Sequence, residues 1–174
     1  LAAFLPAYYH ELPDFDIDDR RDDDLYAVAL AHLAIGRHRR PGETIVRVLS
    51  PDRERDGWHS DRSVALVVTD DAPFLVDTVR MVLERDGIAT HLLVHPMLHV
   101  RRGADTTLTE VLPMGQESYG TTIEAWTQVE VDRRAFGDTE NVDAQICRSR
   151  HRSRHLTHGP RAAAELVSVE HERR

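Results

Sequence analysis

The spacing of apolar residues along the first part of the chain predicts two helices. Apolar positions in 1–12 share one helical face, and Pro6 falls in the first turns, where a proline is tolerated. A second run of helical spacing begins after Asp22, a residue type that caps helices, and stops at Gly36, a residue type that ends them. The acidic stretch 14–24 is interpreted as the linker that joins the two helices.

Two strands and an amphipathic helix are predicted in the next part of the chain. Segment 44–49 alternates and is rich in β-branched residues, which predicts a strand. Segment 63–69 is nearly all apolar, so we expect a strand that is buried on both faces. The stretch 70–73 is predicted to be a turn, and it leads into a helix over 74–85 with Asp71 as its N-cap.

Three further strands are predicted after this helix. A long strand over 88–101 is interrupted or bulged at Pro96, and 108–114 returns as the second strand of a hairpin. Segment 123–131 alternates between an apolar face and a polar face. The polar face consists of Glu124, Trp126, Gln128 and Glu130. The charged stretch 50–61, which contains a proline and a glycine, is predicted to be a loop.

The order of these elements predicts an α+β fold. Strand, helix, strand and strand form the front part of a ferredoxin-like βαββαβ unit, an antiparallel sheet with helices on one face, here preceded by two helices. Three regions follow from this: a helical flank at 1–41, the α+β domain at 42–134 and a tail at 135–174. The tail is rich in Arg, Ser and His and weakly periodic, so we expect it to be disordered or aberrant, and a frameshifted or truncated reading frame is one hypothesis.

Composition narrows the class of protein. The net charge of −8 argues against non-specific binding to nucleic acid or to an anionic membrane face. The longest uncharged run, 87–100, is too short to cross a bilayer as a helix, and no secretory signal is present in the sequence given. Cys147 is the single cysteine, so no internal disulfide can form, which predicts a cytoplasmic protein.

A long contiguous motif identifies a family resemblance. The segment 64–79 contains Asp70-Asp71-Ala72-Pro73-Phe74, and further matching motifs lie in 4–9, 24–26, 57–58, 91–98, 100–102, 124–126 and 129–133. Together they resemble the N-terminal ACT-like domain of the large bacterial NAD-specific glutamate dehydrogenases, over about residues 1 to 134. After Arg134 the sequence departs from the family pattern, which would continue as an amphipathic, Leu- and Glu-rich helix.

The resemblance implies a function for the longer protein to which this chain is similar. The intact enzyme converts L-glutamate and NAD to 2-oxoglutarate, ammonium and NADH, and its catalytic and nucleotide-binding parts lie downstream. The resemblance therefore implies a fragment of a homo-oligomeric, allosterically regulated enzyme of amino-acid catabolism. The partners of this chain would be the downstream domains and other subunits, and NAD would belong to the parent enzyme. A free-standing ACT-type amino-acid sensor is the alternative.

The residues themselves agree with a chain that has no catalytic site or cofactor of its own. None of the nine glycines forms a G-x-G pair, so the dinucleotide fingerprint is missing. All 22 basic residues are arginine, so no lysine can form a Schiff base or act as a general base. No G-x-S-x-G motif supports a nucleophile. Trp58 and Trp126 are interpreted as packing anchors.

The turn formed by Asp70, Asp71, Pro73 and Phe74 is the candidate effector site. It corresponds to the place where ACT domains hold amino-acid effectors, and a strand-to-helix turn exposes N–H groups that can bind a carboxylate. ACT ligand loops commonly place a glycine directly after the proline, where this chain has Phe74. A helix start that binds no ligand is therefore the competing interpretation.

Two groups of histidines resemble metal sites but are not predicted to bind metal. His91, His95 and His99 would share a strand face, yet each step of four residues spans about 13 Å. Zinc ligands must lie within about 2.1 Å of the ion. The run Cys147, His151, His155 and His158 is interleaved with arginines that would repel a cation. The same basic tail lacks aromatic residues for base stacking, so nucleic-acid binding is not expected.

Overall fold

The computed structural model describes residues 2–13, 16–17, 20–113, 115–116 and 118–133. Its elements are α1 (Phe4–Tyr9), α2 (Asp22–Ile35), β1 (Ile45–Leu49), α3 (Arg53–Asp56), β2 (Arg62–Asp70), α4 (Leu75–Arg85), β3 (Thr90–Val94), β4 (Met97–Arg102), β5 (Leu108–Val111) and β6 (Thr122–Asp132). Within these ranges, no helix combines the length and the apolar character that a bilayer crossing requires. The predicted tail at 135–174, with its Cys147 cluster, lies outside the described residues.

The strands form one six-stranded antiparallel sheet with β6 in its centre. The order is β1-β2-β6-β4-β5, and β3 also pairs with β6. β3 and β4 are two pieces of the single strand predicted over 88–101, because both run along the same edge of β6. Pro96 lacks an N–H group, which interrupts the ladder between them. Its carbonyl still accepts from the Trp126 N–H at 3.0 Å. The predicted interruption at Pro96 is confirmed.

The crossover unit β2–α4–β3 gives the sheet its α+β character, as predicted. β2 and β3 flank β6 and are both antiparallel to it, so they run parallel to each other. In a ferredoxin-like unit, the edge beside the first strand is filled by the strand that follows the second crossover helix. In this chain β1, which precedes the unit, occupies that edge.

One face of the sheet is covered by α4 through an aliphatic core. The spacing of Leu75, Val79, Val82 and Leu83 places all four side chains on the buried side of the helix, as the sequence pattern predicted. The buried residues of this cluster are Val46, Ala65, Val67, Leu75, Val79, Leu83, Ile88, Ala125, Val129 and Val131. The stabilisation from aliphatic packing of this kind is non-directional and is roughly proportional to the apolar area removed from water.

The opposite face is covered by α1 and α2, which the sequence had not placed relative to the sheet. Its core is partly aromatic, with the Phe4 and Trp126 rings 5.5 Å apart in an edge-to-face arrangement. The buried residues of the main cluster are Phe4, Ala7, Tyr8, Leu12, Ala29, Val68, Leu92, Val94, Leu98, Val100 and Trp126. Trp58 is also buried and packs in a smaller cluster with Val28, Val64 and Leu66. Both tryptophans are therefore packing residues.

Some of the predicted local details are wrong. Asp22 is already the first helical residue of α2, whose N-cap is Arg21, and neither α2 nor α4 has a side-chain cap. Asp71 does not cap α4, because the helix begins at Leu75 and Phe74 takes the N-cap position, three residues further along the chain. The predicted loop over 50–61 contains the one-turn helix α3, in which the Asp52 side chain accepts from the Glu54 N–H at 3.0 Å.

Candidate functional site

The turn between β2 and α4 has an unusual backbone at its last residue. Phe74 has φ 59° and ψ 18°, in the left-handed region, and its side chain is 58% exposed. Glycine adopts this conformation at little cost, whereas a bulky residue there is an outlier. The backbone at Phe74 is therefore of a kind that favours glycine, the residue that ACT ligand loops commonly have at this position.

The two aspartates of the turn have different environments. The Asp70 carboxylate accepts from Arg39 Nη2 at 2.7 Å, which ties the end of β2 to the segment after α2. Asp71, Pro73 and Phe74 are exposed. The structure therefore brings Asp70 into a buried network and leaves the other three residues at the surface.

A buried carboxylate, Glu124, lies at the centre of that network. Its side chain is fully buried and accepts five hydrogen bonds from three residues. Arg39 donates from Nε at 3.2 Å and from Nη2 at 2.8 Å. Arg102 donates in a fork, from Nε at 2.7 Å and from Nη2 at 2.9 Å. The Trp126 indole N–H donates at 3.1 Å. Such bidentate, charge-assisted contacts are among the stronger hydrogen bonds in proteins.

The protonation state of this network follows from its geometry. Burial alone would raise the pKa of Glu124, but the hydrogen bonds from Arg102 and Arg39 outweigh it and hold the pKa below its ordinary value. Burial likewise opposes the charge on Arg39, whereas Glu124 and Asp70 raise its pKa. Glu124 and Arg39 are therefore ionised at neutral pH, which suits a structural ion network.

Arg102 also fastens the end of α2 to the sheet. Its Nη2 donates to the Gly36 carbonyl at 2.9 Å, and its Nη1 donates to the Thr106 carbonyl at 3.0 Å. At the same place the Trp126 ring lies directly against Gly36. A Cβ atom built on Gly36 would lie 2.3 Å from Trp126 Cη2. Gly36 is thus required by a close approach, since its φ of −80° is available to every residue.

A second buried network joins both N-terminal helices to the sheet. His32 is fully buried, and its ring nitrogens lie 2.7 Å from Tyr8 Oη and 3.2 Å from the Val67 carbonyl oxygen. Burial lowers the pKa of His32 to about 3, although the contact with Val67 opposes the shift. His32 is therefore neutral at neutral pH.

The same network continues from Tyr8 to the surface. Tyr8 Oη also lies 3.1 Å from Gln128 Oε1, and Gln128 Nε2 donates to Glu130 Oε1 at 3.3 Å. Arg20 closes the path with a salt bridge to Glu130 at 2.6 Å. The polar face of β6 is thus covered by helices, and each of its side chains has a specific partner.

Two of the three histidines considered as metal ligands on the strands, His91 and His95, have separate side-chain partners. His91 Nε2 lies 2.7 Å from Asp132 Oδ1, and His95 Nδ1 lies 2.6 Å from Thr127 Oγ1. Burial lowers the pKa of His95. Across the described ranges, no three or more His, Cys, Asp or Glu side chains are arranged to hold a metal ion.

Sequence reasoning missed the central residues of the networks. Arg39 and Arg102 lie outside the helices and strands that were predicted, and His32 lies in the second predicted helix with no role assigned to it. One signal was present, because alternation put Glu124 and Trp126 on the same face of β6, together with Gln128. Alternation alone gave no reason to expect helices on that face.

Comparison with known proteins confirms the resemblance inferred from the motifs. A family model described as the ACT1 domain of glutamate dehydrogenase matches residues 4–146. The chain is similar to the NAD-specific glutamate dehydrogenase of Halomonas elongata, with 33% identity over 145 residues, and to that of Pseudomonas aeruginosa, with 37% identity over 118 residues. The NAD-specific glutamate dehydrogenase of Mycobacterium tuberculosis is 29% identical over 116 residues.

The matches cover most of this chain but only a small part of each relative. They cover 83% and 68% of this chain, but 9% and 7% of the Halomonas and Pseudomonas proteins. The chain thus spans less than a tenth of the length of these relatives. The family match also extends beyond 134, the last residue of the predicted ACT-like domain, into residues outside the described ranges.

Proposed function

The chain belongs to the family described as the ACT1 domain of glutamate dehydrogenase, and from this premise we propose that it is a non-catalytic regulatory and assembly segment of an NAD-specific glutamate dehydrogenase. The longer enzyme, cytoplasmic and homo-oligomeric, would carry this segment at its N-terminal end and deaminate L-glutamate oxidatively to 2-oxoglutarate. NAD would bind to its other domains. The observation that carries the proposal is the family match over residues 4–146 in a chain that covers only 9% and 7% of two relatives.

The state of the buried polar groups supports a non-catalytic role. Glu124 is held ionised by two arginines, and His32 is neutral with a pKa of about 3, so neither group is tuned to exchange a proton near neutral pH. The sequence also has no lysine and no G-x-G pair. These features favour a scaffold on which other domains and subunits assemble.

The test of this proposal is an assay of the purified chain for NADH formation from glutamate and NAD. We expect no turnover, whereas the Pseudomonas aeruginosa relative assayed in the same buffer should form NADH. Turnover that stays with the purified chain and requires both substrates would contradict the proposal.

A second experiment addresses assembly and regulation. Deleting from the Pseudomonas protein the region that matches residues 4–146 should retain chemistry per folded subunit, but change the particle mass in solution or the response to amino acids. Light scattering and initial rates measure these effects. Loss of turnover with assembly and regulation unchanged would instead assign the segment a part in the reaction.

The alternative function is a free-standing amino-acid sensor, and the turn from Asp70 to Phe74 favours it. An exposed strand-to-helix turn with a left-handed residue offers backbone N–H groups to a carboxylate. In this alternative, Asp70, Asp71, Pro73 and Phe74 form the effector site. Calorimetry of the chain against the common amino acids tests it, with Asp71→Asn as the variant. Absence of heat across the whole set would eliminate the sensor.

A further inference from the structure

Two residues other than glycine have a positive φ among the described residues, and they lie in the two loops that the Glu124 network joins. Phe74, in the turn after β2, has φ 59°, and Thr106 has φ 68°. Thr106 belongs to the hairpin tip, residues 103–107, which connects β4 and β5. For a bulky or β-branched residue this conformation is an outlier, and it persists only where the surrounding structure holds it. Both loops are therefore held in place by contacts with other segments.

Asp70 connects the network to the turn. Its carboxylate accepts from Arg39 Nη2 at 2.7 Å, and the same nitrogen donates to Glu124 Oε1 at 2.8 Å. Arg39 thus shares one nitrogen between a carboxylate at the start of the turn and a carboxylate of β6. Without the Asp70 contact, this nitrogen would be held by Glu124 alone. The position of the Arg39 side chain therefore depends on the turn.

The backbone around Arg39 connects the network to the hairpin tip. The Arg39 N–H donates to the Thr106 carbonyl at 3.4 Å, and the Leu108 N–H donates to the Arg37 carbonyl at 2.7 Å. Segment 37–39 therefore pairs with the hairpin in the manner of a short antiparallel strand. A displacement of Arg39 would disturb both hydrogen bonds.

Arg102 spans the same junction from the other side. Its Nε donates to Glu124 at 2.7 Å, and its Nη1 donates to the Thr106 carbonyl at 3.0 Å and to the Arg37 carbonyl at 3.3 Å. The hairpin tip and segment 37–39 are thus bound to the same buried carboxylate that shares Arg39 with Asp70. The contacts form a continuous path from the turn to the tip.

We propose that segment 37–39 couples the turn at 70–74 to the hairpin tip. While Asp70 holds Arg39, the segment keeps its two backbone hydrogen bonds to the hairpin and the tip is fixed. When Asp70 withdraws, Arg39 shifts towards Glu124 and the tip loosens. Such a coupling acts in both directions, so a neighbouring domain that contacts the tip also changes the turn. The inference rests on the proposed function, because it gives the regulatory segment a route from its candidate effector turn to a second surface.

Amide hydrogen exchange, resolved by residue with NMR, tests the coupling in the purified chain. In Asp70→Ala, the Arg39 and Leu108 amides should exchange at least about tenfold faster, because the loss of a charge-assisted hydrogen bond favours local opening. The Leu112 amide donates to the His99 carbonyl at 2.9 Å, at the far end of the same hairpin. Its exchange rate should not change.

Asp71→Ala is the matched control, because it removes the neighbouring, exposed carboxylate of the same turn and should leave all three rates unchanged. If Asp70→Ala does not fold, Asp70→Asn keeps an oxygen acceptor without the charge and should give the same pattern with a smaller increase. Equal acceleration at Leu112 would reveal only a general loss of stability, and unchanged rates at Arg39 and Leu108 would show that the two loops are independent. Either result would overturn the proposal. Neither alters the NADH assay, which tests the proposed function separately.

Discussion

The two faces of the sheet are held by different physical means. The face under α4 is an aliphatic core whose buried members contribute area and shape. The face under α1 and α2 combines aromatic rings with the Glu124 network and the His32 network, in which each polar group needs a particular partner. The first face tolerates hydrophobic substitutions of similar volume, whereas the second depends on directional contacts. The N-terminal helices are therefore positioned specifically, and not merely attached to an apolar surface.

The largest effect is expected from Glu124→Ala on the polar face. The change leaves Arg39 and Arg102 charged and without their buried anion, which should lower the free energy of unfolding by about 3–5 kcal/mol. Urea denaturation measures the change. Glu110→Ala is the matched control, because that carboxylate is 53% exposed in its pair with Arg101 and should contribute less than about 1 kcal/mol. Equal losses of unfolding free energy from the two variants would show that the buried network contributes no more than an exposed ion pair.

Leu83→Ala makes the corresponding change on the aliphatic face. Leu83 is fully buried under α4, and its truncation should cost about 2–5 kcal/mol through lost contacts and a residual cavity. The folded variant should retain the fluorescence of Trp126, measured in a Trp58→Phe background, since Trp126 lies on the other face. Glu124→Ala should shift that emission. A shift in Leu83→Ala would mean that the two faces respond as one unit.

Gly36→Ala tests the close contact at the end of α2. The added methyl group would meet the Trp126 ring, and overpacking of this kind should cost about 1–3 kcal/mol. In a Trp126→Phe background the cost should become smaller, which a double-mutant cycle of thermal unfolding measures. Gly42→Ala is the converse case, since Gly42 has φ 79° and no atom near its missing Cβ, so its cost comes from the backbone and should not change in the Trp126→Phe background. If the losses of stability from Gly36→Ala and Trp126→Phe simply add in the double variant, the two residues are not in contact.

The buried His32 predicts how stability depends on pH. Its pKa is about 3 in the folded chain and 6.5 as its ordinary value, so below pH 6.5 the unfolded chain binds the additional proton. Stability from this group is therefore fully present above about pH 6.5. It decreases by about 1.4 kcal/mol for each unit as the pH falls towards 3. Urea denaturation between pH 7 and about pH 4 measures the slope.

Comparison with His32→Gln isolates this effect, because glutamine can still contact Tyr8 or Val67 but does not titrate in that range. The difference in unfolding free energy between the two proteins should change with pH on the acidic side of 6.5 and be constant above it. Parallel profiles throughout would show that His32 is accessible to protons in the folded chain.

The smallest effect is expected at Phe74. The left-handed conformation costs a residue with a Cβ atom about 1–2 kcal/mol, and glycine avoids this cost. Glycine also loses more conformational entropy on folding, however, which cancels part of its advantage. Phe74→Gly should therefore be more stable than Phe74→Ala by less than about 1 kcal/mol, measured by thermal unfolding. If Phe74→Ala is the more stable variant, the backbone is not in the left-handed region.

Much of the fold could be predicted because periodicity reports directly on secondary structure. The buried run before Asp70 and the amphipathic stripe of α4 placed the crossover unit, and Pro96 indicated the interruption between β3 and β4. The positions of α1 and α2 could not be predicted, since their apolar stripes show that they pack but not on which face. The predicted N-caps Asp22 and Asp71 were wrong for a local reason. A residue type that is suited to capping does not fix where the helix begins.

The residues around the candidate site were even harder to predict from the sequence. The motif around Asp70 and Phe74 identified the turn, yet Arg39 and Arg102 are ordinary surface residue types in their own segments. Arg39 becomes buried, and Arg102 largely so, only when the segment after α2 meets the ends of β2, β4 and β6. Contacts between residues that are 85 or 22 positions apart have no local signature. A network of this kind is readable only once the topology is known.

The central position of β6 bears on how the chain folds as it is synthesised. β6 is the last described strand, but it is the one to which β2, β3 and β4 all pair. The earlier strands and both N-terminal helices therefore leave the ribosome before their main partner exists, and they must wait for Asp132 to emerge. During that interval their apolar surfaces remain uncovered, which makes this nascent segment a natural client for chaperones.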